Sequence, residues 1–141
     1  MPELSAAEAW ATLYRSLKDL KAAWPARGWS WDGRLSCVTS SFAAEIEAAA
    51  RIAANVAFPT EFVAGSIGKA PPLVRELVER AGGIRAGQRV LQSALFGTAF
   101  TYCLWWPWGD GMTTSVRIGL GANNPSNDAL QRLRDCFGVE L

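Results

Sequence analysis

The sequence predicts an α+β fold: an antiparallel sheet, made of a hairpin plus a meander, packed against three to four helices. Three observations carry this. Trp10, Leu13, Tyr14, Leu17, Leu20 and Trp24 recur at three- and four-residue spacing, the period of an amphipathic helix. Phe100, Tyr102, Leu104 and Trp106 alternate with Thr101, Cys103 and Trp105, and a second alternating run follows over 112–120, the period of strands. Asp32-Gly33 sits between two short strand-like runs, where it signals a tight hairpin. A length of 141 residues fits one domain over 1–141 and suffices for a core without metal or disulfide support.

Each element has a local reason. Ser5 and Glu8 form a capping box that starts the first helix, and Pro25 prevents its extension. Strands at about 28–31 and 34–39 flank Asp32-Gly33, which sets Trp31 opposite Arg34 and Trp29 opposite Ser36. A Trp–Arg pair across strands would gain a cation–π contact of ~0.5–1 kcal/mol. Ser40 or Ser41 is expected to cap a second helix running to about Phe58. Phe42, Ile46, Ala49, Ala53 and Val56 form its inner line, with Ile52 beside it and a Glu47–Arg51 pair outside.

The segment 60–70 reads as a loop with one short strand at most. Pro71-Pro72 opens a third helix, and Gly82-Gly83 closes it. Leu73, Val74, Leu77, Val78 and Ala81 face inward on it, with pairs Arg75–Glu79 and Glu76–Arg80 along its outside. A strand at about 89–95 precedes the meander, and Gly97 marks a bend. The 107–111 connection would set Trp106 opposite Met112, Leu104 opposite Thr114 and Tyr102 opposite Val116. A last helix runs from Ser126 or Asn127 to Phe137, stopped by Gly138.

Composition removes whole classes of function. Fourteen Lys and Arg against 13 Asp and Glu leave a net charge of +1, so nucleic acid is not the expected partner. The absence of histidine removes His-based triads, His-ligated metals and His pH switches. Cys37, Cys103 and Cys136 stand far apart with no C-x-x-C spacing, which suits reduced, buried thiols in a cytoplasmic protein. Glu3 and Glu8 near the start argue against a secretory leader. No apolar run reaches the ~18 residues of a membrane span. The glycine clusters miss phosphate-loop spacing: Gln88 stands where Gly82–Gly87 would need lysine, and Asn124 breaks the pattern begun by Gly119 and Gly121. No cofactor or metal site is expected.

The element order and the Asp-Gly hairpin tip resemble Roadblock and longin-type domains. That likeness implies a dimeric regulator or adaptor.

The seven tryptophans are the informative residues. Trp10, Trp24 and Trp106 fall on core faces of their elements. Trp105 points to the other sheet face, exposed unless the second and third helices cover it. Trp108 sits at a hairpin tip, and Trp29 and Trp31 share one side of the first hairpin beside Arg34. Exposed indoles are costly and enriched at binding hot spots. The expected function is therefore a non-catalytic protein–protein interaction module: a bacterial-type adaptor, regulator or toxin-neutralising partner that binds another protein or itself as a homodimer. Its candidate interface residues are Trp108, Trp105, Trp29, Trp31 and Arg34. The alternative is a small-molecule binder with a tryptophan-lined apolar pocket, and an enzyme of unrecognised type comes third. The carboxylates at Asp32 and Asp110 read as turn formers.

Overall fold

The computed structural model describes residues 4–122 and 124–140; Glu3 lies outside them. In chain order the elements are α1 (Ala6–Ala23), β1 (Ser30–Asp32), β2 (Cys37–Ala43), α2 (Glu47–Asn55), β3 (Thr60–Val63), α3 (Pro72–Arg80), β4 (Arg89–Gln92), β5 (Thr101–Pro107), β6 (Thr113–Leu120) and α4 (Asn127–Phe137). Short 3-10 turns lie at Ala44–Ile46 and Ile67–Lys69. The six strands form one antiparallel sheet in the order β1-β2-β6-β5-β4-β3, and with the four helices they make an α+β fold.

Side-chain alternation divides this sheet into two working faces. Val38, Phe42, Leu91, Cys103, Trp105, Val116 and Ile118 point to one face, where α1, α2 and α4 bury them in the larger core. Val90, Tyr102 and Leu104 point to the other, where Val74, Leu77 and Val78 of α3 cover them. The rest of that second face needs no helix, because β2 and β6 place Thr39, Ser41, Ser115 and Arg117 there. Burial on both faces explains why β5 is buried at five successive positions, Thr101 to Trp105.

The helix ends follow their sequence signals. The Ser5 hydroxyl accepts the Glu8 amide at 3.1 Å and the Glu8 carboxylate accepts the Ser5 amide at 3.1 Å. Ser126 caps α4 by accepting the Ala129 amide at 3.1 Å. Gly82, Gly83 and Gly138 take positive φ at the ends of α3 and α4, the conformation that favours glycine.

Four expectations need correction. First, the β1–β2 connection spans Gly33–Ser36, so Trp31 lies opposite Val38 rather than Arg34, and Trp29 precedes the paired strand. The Asp32 carboxylate accepts the amides of Arg34 at 3.0 Å and Leu35 at 3.2 Å, and Ser36 takes the positive φ. That side-chain turn replaces the two-residue tip, because Gly33 keeps a negative φ.

Second, Ser40, Ser41 and Phe42 continue β2 instead of opening a helix. Ser40 pairs with Val116, and its hydroxyl accepts the Trp24 indole N–H at 3.3 Å. The helix starts later, at Glu47, and is rotated: Ala50, Ala53, Ala54 and Ala57 are buried while Ala49, Ile52 and Val56 face out. Its small side chains pack into the larger core beside α1, and Arg51 reaches the Trp105 ring from it, 6.0 Å from the centroid. Third, the ion pairs among the described residues are Arg51–Glu61, Arg89–Glu61 and Arg117–Asp32. The expected pairs along α2 and α3 are not among them, and Leu73 is exposed.

Fourth, the β5–β6 register differs. Trp106 lies opposite Ser115, Leu104 opposite Arg117 and Tyr102 opposite Gly119, three positions further along β6 than the connection length implied. Trp105 is the buried indole, 1% exposed, and Trp106 is half-buried on the opposite face. Pro107 stays in the strand opposite Thr114, so the turn closes between Trp108 and Thr113.

Candidate functional site

The β5–β6 turn is built to hold an apolar tip in water. Two carboxylate oxygens of Asp110 organise it. Oδ1 accepts the amides of Met112 at 2.8 Å and Thr113 at 3.0 Å, and Oδ2 accepts the Thr113 hydroxyl at 3.1 Å. The Trp108 amide donates to the Thr113 carbonyl at 2.8 Å, and Gly111 supplies the positive φ. The Met112 amide, followed by Thr113, holds the Asp110 carboxyl below its ordinary value. On this fixed loop Trp108 is 51% exposed and Met112 66% exposed. β3 finishes at the same end of the sheet, because Val63 pairs with Arg89 and Arg89 with Trp105. Val63 and Pro107 are exposed there too, which extends the apolar character of that end.

The other tryptophans are packed. Trp105 lies 5.2 Å from the Phe42 ring, with the Arg51 guanidinium 6.0 Å from its centroid. Trp29 fills the space between Trp24, at 5.1 Å, and Phe137, at 4.4 Å. Trp31 lies beneath the Arg134 guanidinium at 4.7 Å, which is the cation–π contact the first hairpin makes. Trp106 is covered by Arg117 at 4.6 Å, and Arg117 Nε donates to Asp32 at 3.1 Å. Burial raises the Asp32 carboxyl, but the Arg117 guanidinium and the turn amides outweigh it and hold the group below its usual range.

Of the sequence-chosen residues, Trp108 alone is a displayed indole. Trp29 and Trp31 are half-buried, Trp105 is core, and Arg34 is exposed at the opposite end of the sheet, since the β1–β2 turn and the β5–β6 turn lie at opposite ends of β2 and β6. Met112 completes the tip and was not singled out from the sequence. Its signal is its place directly after the Gly109–Gly111 turn, where a flexible apolar side chain has no strand partner to cover it.

Near Arg34 the sheet carries a second feature, a cleft of about 570 Å3 between α3, the β1–β2 turn and the start of α4. Tyr102 and Leu104 form its floor, with Leu77 and Arg80 on one wall and Arg34 on another. Glycine makes that floor: a Cβ on Gly119 would collide with the Tyr102 hydroxyl and ring. No tryptophan lines this cleft. A shallower groove of about 360 Å3 runs beside Trp10, Tyr14 and Arg132.

The thiols are poorly suited to nucleophilic roles. All three are buried. Burial pushes Cys37 up to about 12 and raises Cys103 and Cys136 as well, so thiolate is scarce near neutral pH. Among the described residues no cluster of His, Cys, Asp or Glu could hold a metal ion, and no helix is long and apolar enough to cross a membrane. Comparison with family models, curated proteins and solved structures gives no significant match to this chain.

Proposed function

We propose that this chain is a non-catalytic protein–protein interaction module, working in the cytoplasm as an adaptor, regulator or toxin-neutralising partner. Its contact surface centres on Trp108. The observation that supports this is the rigid display of Trp108 beside Met112 on a turn fixed by Asp110. An indole half in water gains on docking the apolar burial that folding left unused, and its two torsions lose little entropy. A rigid loop adds to that gain, because no ordering cost remains for the backbone. The partner is another protein or a second copy of this chain. Buried, uncoupled thiols fit a reducing compartment.

The experiment is photo-cross-linking in the native host from a benzoylphenylalanine placed at position 112. An adduct that disappears in the Trp108→Ala background supports the reading. Its mass separates a homodimer from a different partner. No adduct, or one that Trp108→Ala leaves unchanged, contradicts it.

A further inference from the structure

We propose that the cleft between α3 and the β1–β2 turn is a binding site for a small organic anion with an apolar body, held by Arg34 and Arg80. This site is independent of Trp108, which lies at the other end of the sheet.

Charge comes first. Arg34 and Arg80 reach the cleft from separate elements, a turn and the last residue of α3. The ion pairs among the described residues occupy Arg51, Arg89 and Arg117, so neither Arg34 nor Arg80 is tied to a carboxylate there. Asp32, whose carboxylate closes the β1–β2 turn, is already bound by Arg117. The mouth of the cleft is thus cationic in a chain whose net charge is only +1. A guanidinium presents a planar fork of donors that fits carboxylate and phosphate oxygens.

The floor of the cleft is aromatic and rigid. Tyr102 is 4% exposed and lies across Gly119, where a Cβ would collide with its ring. Burial raises the phenol above its ordinary range. It therefore stays protonated and has a donor to offer. Leu104 continues the floor, Leu77 and Leu120 add apolar wall, and Asn127 adds an amide from the first turn of α4. A volume of about 570 Å3 suits a small molecule with one charged end. The floor excludes bulk at position 119, so the ring and the opening are fixed by the fold rather than left over from loose packing.

Phosphate and carboxylate share this chemistry, and the test separates them. The full chain is titrated with phenyl phosphate, benzoate and benzyl alcohol, followed by amide shifts of residues 34–36 and 77–81. At least one anion should saturate at about 1 mM or below, and benzyl alcohol should bind at least tenfold more weakly. The tighter anion identifies the charged group. Arg34→Ala and Arg80→Ala should each weaken binding at least tenfold, while Arg80→Lys should keep part of it. Both arginines are exposed, so these variants fold, and their circular dichroism checks it. Trp108→Ala should bind the anion as the parent does. Absence of saturation by either anion, equal binding of benzyl alcohol, or indifference to both arginine substitutions would overturn the proposal.

Discussion

Truncating Trp105 and Trp108 separately asks whether the two indoles have the different jobs the structure gives them. Trp105 is 1% exposed between Phe42 and α2. A tryptophan side chain buries about 150–250 Å2, and at ~25 cal/mol per Å2 that amounts to roughly 5 kcal/mol. Trp105→Ala keeps the Cβ but leaves a cavity, so the expected loss is about 3–5 kcal/mol. Trp108 is 51% exposed, which halves the covered area and sets an upper bound of about 2.5 kcal/mol. A turn residue is already partly covered in the unfolded chain, which brings the expected loss to about 1 kcal/mol. Urea unfolding followed by far-UV circular dichroism gives both values from the midpoint and slope. Equal losses for the two variants, or a loss under about 1.5 kcal/mol for Trp105→Ala, would refute the assignment of core and display.

Four further outcomes follow from particular contacts. Ser5→Ala removes one half of the capping box and should lower stability by about 1 kcal/mol in the same urea assay, with Glu8→Ala costing less. Gly119→Ala drives a methyl into the Tyr102 ring and should cost about 1–3 kcal/mol; the Tyr102→Ala background should absorb most of that. The thiols are raised in the folded state, so they bind protons there that the unfolded chain loses above pH ~8.5. Stability should accordingly fall as pH rises beyond that point, and native thiols should resist an aromatic disulfide reagent at pH 8 until urea is added. Asp32 and Asp110 are lowered, so their contribution is present above the ordinary carboxylate range and lost as pH falls through their folded values. Asp32→Asn should flatten the acid limb of the stability–pH curve.

The sequence was most legible where structure is decided within a few residues. The capping box at Ser5, the start of α4 near Ser126, the glycine stops and the alternation in β5 and β6 all act over one turn or one pleat. It was least legible where a distant partner decides. Ser40 reads as a cap, but Trp24 and Val116 claim it for a strand. In α2 alanines occupy both the inner and the outer face, so the sequence does not say which of them turn inward. The register of β5 on β6 depended on whether Pro107 belonged to strand or turn, and Asp110 settles that by closing the turn after it. That odd, three-residue shift along β6 exchanged the faces of Trp105 and Trp106. Trp108 was legible as a tip residue from its neighbours Pro107 and Gly109. The cleft was not: Arg34, Arg80 and Tyr102 come from three elements, and Gly119 gives no sign in sequence of the ring it accommodates.

Hydrogen exchange on the isolated chain and on the complex captured through position 112 shows directly whether the β5–β6 turn is the contact surface. Added protection is expected over residues 108–113, spreading to the end of β3 near Val63, with the cleft residues 34–36 unchanged. Protection confined to the helical face of α1 and α4, with 108–113 exchanging as freely as before, would place the contact surface elsewhere.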